Sequence, residues 1–144
     1  MSQNIGVDIL HLPRIVSLLS RRSISRFSRK ILTPTELAEF QTLPSSSAAA
    51  NLNLSVLANP QTRFLATRWA AKEAAYKASG DIIPTTPAKW MGWKNFEIVR
   101  GSRGEPLLTL RDDKGFKMGT GKVSISHDGE YVIAMVMVPQ SFTK

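Results

Sequence analysis

The sequence predicts an α+β fold in which a long central helix packs on antiparallel strands. Helical periodicity is concentrated in the first 80 residues, and strand-like alternation runs from about residue 96 onward. Between them, Asn59-Pro60 opens and Gly80 closes one long alanine-rich helix, with the N-cap, first-turn proline and terminal glycine that such a helix requires. At 144 residues, with no internal repeat, the chain suits a single domain spanning 1–144.

Asn4 to Leu10 is apolar around Gly6 and Asp8, the pattern of a buried strand that presents Asp8 at one end. Pro13 then starts a helix with Ile15, Leu18 and Leu19 on one face and Arg14, Arg21 and Arg22 on its exposed side or end. A second short helix groups Phe27, Ile31 and Leu32, and projects Arg26, Arg29 and Lys30 outward. In Thr33-Pro34-Thr35-Glu36, Thr33 caps a third helix, Pro34 fits its first position and Glu36 completes a capping box. Residues 44–58 are rich in Ser, Ala, Asn and Leu, carry no charge, and read as a loop or insertion.

On the central helix, Ala66, Trp69, Ala70, Glu73 and Lys77 share one side; Phe64, Ala71, Ala75 and Ala78 share the other. Alanines at 70, 71, 74, 75 and 78 permit close approach of other backbone, and Glu73 and Lys77 are spaced to interact. Pro84 and Pro87 mark an irregular connection, with Trp90 and Trp93 packing over the helix. Phe96–Val99 and Leu107–Leu110 read as strands joined through Gly101–Pro106. Val123–Ser126 and Tyr131–Val138 form a final hairpin around Asp128-Gly129.

The absence of cysteine excludes disulfides, thiolate metal sites and cysteine catalysis. His11 and His127 are too few for a histidine-rich zinc site, so a metal here is oxygen-bound, which favours magnesium. The net charge of +8 is concentrated in residues 1–72, where nine Lys and Arg face only Asp8, Glu36 and Glu39. Such a field suits a polyanionic partner: nucleic acid, an acidic membrane or an acidic protein. No apolar run approaches the ~20 residues that span a bilayer. An N-terminal signal is not expected, because the first strand begins near residue 4.

Asp8 is either a hydrogen-bonded strand-end carboxylate or a metal ligand, since an unpaired buried carboxylate is costly. Glu73 is either half of an ion pair with Lys77 or a functional carboxylate, and its alanine-rich surroundings suit close packing better than a solvated charged face. His127 reads alone as a hydrogen-bonded turn histidine, the Arg-rich 14–30 segment as a solvated face, and Gly104-Glu105-Pro106 as a loop.

Together, Gly6-Val7-Asp8-Ile9, Ile31-Leu32-Thr33-x-x-Glu36-Leu37, Arg68-Trp69-Ala70-Ala71-Lys72-Glu73-Ala74-x-x-Lys77-Ala78 and Ser124-Ile125-Ser126-His127 stand in the order and rough spacing of a known family. From about residue 4 to 138 the chain closely resembles the holo-acyl-carrier-protein synthase type of 4′-phosphopantetheinyl transferase. The resemblance implies the 4′-phosphopantetheinyl transferase fold. It also implies transfer of the phosphopantetheine arm of coenzyme A to a serine of an apo acyl carrier protein, with release of adenosine 3′,5′-bisphosphate. By the same resemblance, Asp8 and Glu73 bind Mg²⁺ beside the coenzyme A pyrophosphate. Glu73, directly or through a metal-bound water, takes the serine proton, and Lys77 neutralises pyrophosphate charge. Arg68 and Lys72 are further phosphate contacts; Gly104, Glu105 and Pro106 match the loop against the adenine; Ser126 and His127 match positions near the nucleotide phosphates. Arg14 matches a carrier-docking position, which Arg21, Arg22 and Arg26 extend by location and charge. Small members of this type form homotrimers with each site between neighbouring subunits.

Two segments depart from the family pattern. Residues 44–62 are longer than in compact bacterial members, and 112–121 are glycine-rich where members often show a short helix. Relatives work in bacterial cytosol and in the mitochondrial matrix, and the lengthened segment points towards the latter. A basic nucleic-acid-binding module would account for the charge but gives no reason for Asp8, Glu73 and Lys77. An inactive carrier-protein adaptor would not need that set intact. The expectation is therefore an enzyme with no nucleic-acid or membrane partner.

Overall fold

The computed structural model describes residues 2–44, 59–79 and 92–140. The chain runs β1 (Gln3–His11), α1 (Leu12–Arg21), α2 (Ile24–Ile31), α3 (Pro34–Gln41), α4 (Pro60–Ala78), a short 3₁₀ turn (Trp93–Asn95), then β2 (Phe96–Arg100), β3 (Pro106–Arg111), β4 (Lys117–Asp128) and β5 (Tyr131–Pro139). The five strands form one antiparallel sheet ordered β1-β5-β4-β3-β2, and α4 packs across one face of it. The expected α+β architecture is what forms.

Local chemistry accounts for the helix starts. Ser23 accepts a hydrogen bond from the Arg26 amide to cap α2, and the Asn59 side chain accepts from Gln61 and Thr62 to cap α4. The capping box at α3 forms as the sequence predicts: Thr33 accepts from the Glu36 amide, and Glu36 accepts from the Thr33 amide at 2.9 Å. The core joins α4, whose Leu65, Ala66, Ala70, Ala71, Ala74 and Ala75 are fully buried, to the inward rows Val132, Ala134, Val136 and Val138 of β5.

The alanines serve the close approach they suggested. A Cβ on Gly6 would lie 2.0 Å from the Ala74 carbonyl oxygen and 2.7 Å from the Ala78 nitrogen. Strand β1 therefore meets α4 backbone to backbone, and this contact sets the position of Asp8, two residues further along the same face.

Strand β4 is longer than the sequence suggested and takes in the second half of the glycine-rich segment, residues 117–121. Asp112–Gly115 form the β3–β4 turn: the Asp112 side chain accepts from the amides of Lys114 and Phe116, and Gly115 adopts φ +87. Gly121 lies inside β4 because a Cβ there would come within 2.8 Å of the Met137 carbonyl oxygen. The readings for Gly80, Pro84, Pro87, Trp90 and residues 45–58 fall outside the described residues. Trp93 does pack over the helix, tilted against Trp69 at 4.9 Å between ring centroids, while Phe27 stacks on Trp69 from α2 at 5.3 Å.

Candidate active site

Two clusters flank α4. On the β1 side stand Asp8, Glu73 and Lys77. Asp8 projects from β1 towards the helix, opposite Ala134 in the register of β5. Lys77 Nζ donates to Asp8 Oδ1 and to the Val7 carbonyl oxygen, both at 2.9 Å. Of the two readings of Glu73, the helix ion pair with Lys77 does not form: the lysine reaches across to the strand instead.

Glu73 is half-buried and has neither a hydrogen-bond nor an ion-pair partner among the described residues. Burial and the Asp8 charge push its carboxyl up from the ordinary value, against the opposing pull of Lys77 and Arg14. Arg14, exposed at the start of α1, thus belongs electrostatically to this cluster. Among the described residues no cluster of three or more His, Asp or Glu side chains forms, so Asp8 and Glu73 offer two protein ligands. Two like charges, one without a hydrogen-bond or ion-pair partner among the described residues, in an all-oxygen donor set fit a hard divalent cation whose remaining ligands are phosphate and water.

On the other side of α4 is a cleft of about 340 Å³, lined by Arg63, Phe64, Thr67 and Arg68 of α4, Ile98 to Arg100 of β2, Gly104, Pro106, and Ile125 and His127 of β4. Arg68 is 7% exposed, its guanidinium lies 3.7 Å from the centre of the Phe64 ring, and its buried Nε has no partner. Its nearest carboxylate, Glu39, stands 3.7 Å away and also pairs with Arg100 at 3.1 Å. Burial pulls the Arg68 guanidinium below its ordinary pKa, with Glu39 opposing. A buried, under-partnered cation facing a cleft with Arg63, Arg100 and His127 suits an anionic ligand.

Four of the residues expected to bind the nucleotide thus come together: Arg68, Gly104, Pro106 and His127. Three others are placed differently. Lys72 is fully buried away from the cleft, where its ammonium donates to Glu36 Oε1 at 2.6 Å and to the carbonyl oxygens of Ile31 and Trp93 at 2.5 and 3.1 Å. With all three protons used, it braces α2, α3 and α4 rather than meeting a phosphate. Glu105 turns back into its own loop, accepting from the Arg103 amide at 2.9 Å. Gly104 makes that turn possible at φ +80. Ser126 lies on the opposite sheet face from His127, because Ser126 pairs with exposed Ile133 and His127 with buried Val132.

Sequence reasoning missed Arg63, Thr67 and Arg100 as cleft residues. Arg63 and Thr67 lie five and one positions before Arg68 on the α4 flank that carries Phe64, a spacing visible in advance. Arg100 needed only its place beside the Gly101–Pro106 turn. Separately, Arg21, Arg22, Arg26 and Lys30 surround a surface concavity of about 750 Å³ at the α1–α2 junction. Three of these are the expected docking residues, and Lys30 is an addition.

Comparison with known proteins points one way. The family model for the 4′-phosphopantetheinyl transferase superfamily matches residues 4–136. The chain is 40% identical over 145 aligned residues to 4′-phosphopantetheinyl transferase B, mitochondrial, of Aspergillus fumigatus, covering 93% of this chain and 92% of that protein. It is 37% identical to the holo-[acyl-carrier-protein] synthase of Geobacillus kaustophilus, covering 96% and 89%. A solved holo-(acyl-carrier-protein) synthase from Bacillus anthracis, in complex with CoA (3′,5′-ADP), superposes with a TM-score of 0.65 at 30% identity, covering 93% of both chains.

Proposed function

The chain belongs to the 4′-phosphopantetheinyl transferase superfamily, and on that premise we propose that it is a holo-[acyl-carrier-protein] synthase. It transfers the 4′-phosphopantetheine arm of coenzyme A to a serine of an apo acyl carrier protein and releases adenosine 3′,5′-bisphosphate. The observation that carries this reading is the half-buried Glu73, without a hydrogen-bond or ion-pair partner among the described residues, beside Asp8. Such a pair suits a Mg²⁺ ion which, when bound, neutralises charge on the pyrophosphate oxygens and stabilises the leaving phosphate.

The protein's own groups do the rest. Glu73, its carboxyl pKa raised and with no competing hydrogen bond among the described residues, accepts the serine proton as the serine oxygen attacks the β-phosphorus. The new serine O–P bond replaces the pyrophosphate P–O bond, and the electrons of that bond leave with adenosine 3′,5′-bisphosphate. Lys77, half-exposed on the same helix flank, neutralises pyrophosphate charge. Arg68, Arg63, Arg100 and His127 hold the nucleotide phosphates in the cleft, and Gly104 and Pro106 lie against the adenine.

One chain alone does not bring these halves together. At 100° per residue, Glu73 lies about 140° around α4 from Arg68 and about 180° from Phe64. A site using both flanks is completed by a second copy, which is the arrangement expected of a homotrimer. The open sheet face supports this. Ile5, Val7 and Ile9 of β1 and Ile133 and Met135 of β5 form adjacent rows there, each 42% to 62% exposed. Covering such side chains stabilises an interface by up to ~1.5–3 kcal/mol each, and Ser126 on the same face would reach a neighbour's site. Sedimentation should give three times the 15.9 kDa subunit mass. Glu73→Gln and Arg68→Ala proteins, each inactive alone, should regain part of the activity when unfolded, mixed and refolded together. A monomer, or no recovery from refolded mixtures that contain mixed trimers, would contradict the shared site.

Carrier docking falls to the basic surface of α1 and α2, where Arg14 borders the acidic pair and Arg21, Arg22 and Arg26 line the concavity. Charge complementarity of this kind mainly sets encounter rate and register. Charge reversal at Arg14 and Arg21 should therefore raise the KM for carrier about tenfold or more, and leave coenzyme A binding nearly unchanged. Steady-state kinetics at two salt concentrations check this, because the wild-type advantage should shrink as salt rises. The lengthened 44–62 segment, together with a relative named as mitochondrial, supports a mitochondrial setting.

A further inference from the structure

At the acidic pair, the cation already present belongs to the protein. Lys77 holds its ammonium 2.9 Å from Asp8 Oδ1 and fixes it with a second bond to the Val7 carbonyl oxygen. An ion shared by Asp8 and Glu73 would have to share Asp8 with that ammonium. The two partners differ in freedom: the Asp8 side chain is 16% exposed on a sheet strand, whereas the Lys77 side chain is 50% exposed on a flexible stem. Glu73, one helical turn earlier, makes no ion pair among the described residues and feels Lys77 and Arg14 only at longer range.

We propose that Lys77 is a resident counter-ion that holds down the divalent affinity of Asp8 and Glu73 until a nucleotide pyrophosphate draws its ammonium away. The inference rests on the reading of Asp8 and Glu73 as metal ligands. An ammonium within a few ångströms of a divalent ion opposes its binding even at a surface dielectric. A phosphate that accepts the Lys77 hydrogen bonds in place of Asp8 and Val7 draws the ammonium off the pair and relieves this opposition. Metal and nucleotide binding are thereby coupled, and by linkage each raises the affinity of the other by the same factor. Lys77 is then a positioning residue for the metal as well as a phosphate contact.

The test is a Mn²⁺ titration of the full-length protein, read from the electron paramagnetic resonance of free Mn²⁺, with and without coenzyme A and corrected for protein-free binding. Lys77→Met and Lys77→Gln are compared with wild type, and circular dichroism confirms that each is folded. Both substitutions are expected to tighten Mn²⁺ binding without coenzyme A by roughly tenfold and to shrink the coenzyme A-dependent gain. Adding Asp8→Asn to either should abolish the tightening. Unchanged or weaker Mn²⁺ binding in both variants, with Asp8-dependent binding in wild type, would overturn the counter-ion role and leave the metal site standing. No Asp8- or Glu73-dependent Mn²⁺ binding in any protein, with or without coenzyme A, would overturn both.

Discussion

Glu73→Gln is expected to lower phosphopantetheine transfer by roughly 10²–10⁴-fold, the usual range for loss of a positioned general base. The substitution keeps shape and removes charge and basicity together. Because Glu73 is half-buried without a hydrogen-bond or ion-pair partner among the described residues, its loss strands none of them, and the thermal midpoint should stay within a few degrees of wild type. Asp8→Ala should impair turnover to a similar extent. It also frees Lys77 from its 2.9 Å contact, so a modest change in stability accompanies it. Turnover retained in both variants would remove the acidic pair from the chemistry.

Lys72→Met is expected to act in the opposite way, on stability first. Lys72 and Glu36 are both fully buried, and the Glu36 carboxylate also accepts from the amides of Thr33 and Ile98. Removing only the cation leaves a buried carboxylate uncompensated, which typically costs ~3–5 kcal/mol. For a chain of this size that corresponds to a fall in thermal midpoint of roughly 10–20 °C. The double substitution Lys72→Met with Glu36→Gln should recover part of the loss, because no unpaired charge then remains buried, although the new side-chain amide nitrogen meets a backbone donor at Thr33 or Ile98. A thermal midpoint unchanged in Lys72→Met, with a raised KM for coenzyme A, would instead restore the phosphate contact that the resemblance implied.

This contrast shows what the sequence could and could not convey. Caps were legible because their partners lie within three residues: Thr33 with Glu36, and Asn59 with the first amides of α4. The meeting of β1 with α4 was legible in part, since a glycine in a strand and a run of alanines both signal close backbone approach. The true role of Lys72 was not, because its partner Glu36 lies 36 residues earlier and nothing local indicates the pairing. The same holds for Lys77, whose reach to Asp8 spans 69 residues and displaces the local pair with Glu73.

Strand alternation already places Ser126 and His127 on opposite faces, so they could not both line one cleft in one chain. The outward row Ile5, Val7 and Ile9 is more apolar than the inward row Asn4, Gly6, Asp8 and Leu10, an inversion readable from the alternation and the basis for proposing that a second copy covers this face. The reach of β4 back to Lys117 was hidden by Gly119 and Gly121, since glycine is depleted in strands. Gly121 is needed there for a reason visible only in three dimensions, the approach of Met137.

The most direct test of the central claim is to incubate the protein with coenzyme A, Mg²⁺ and an apo acyl carrier protein, then weigh the carrier by mass spectrometry. The expected result is a gain of about 340 Da, the phosphopantetheine arm delivered by phosphoryl transfer, that is abolished by EDTA. A carrier that binds yet gains no mass, across several carriers, would contradict it and leave this protein an adaptor rather than an enzyme.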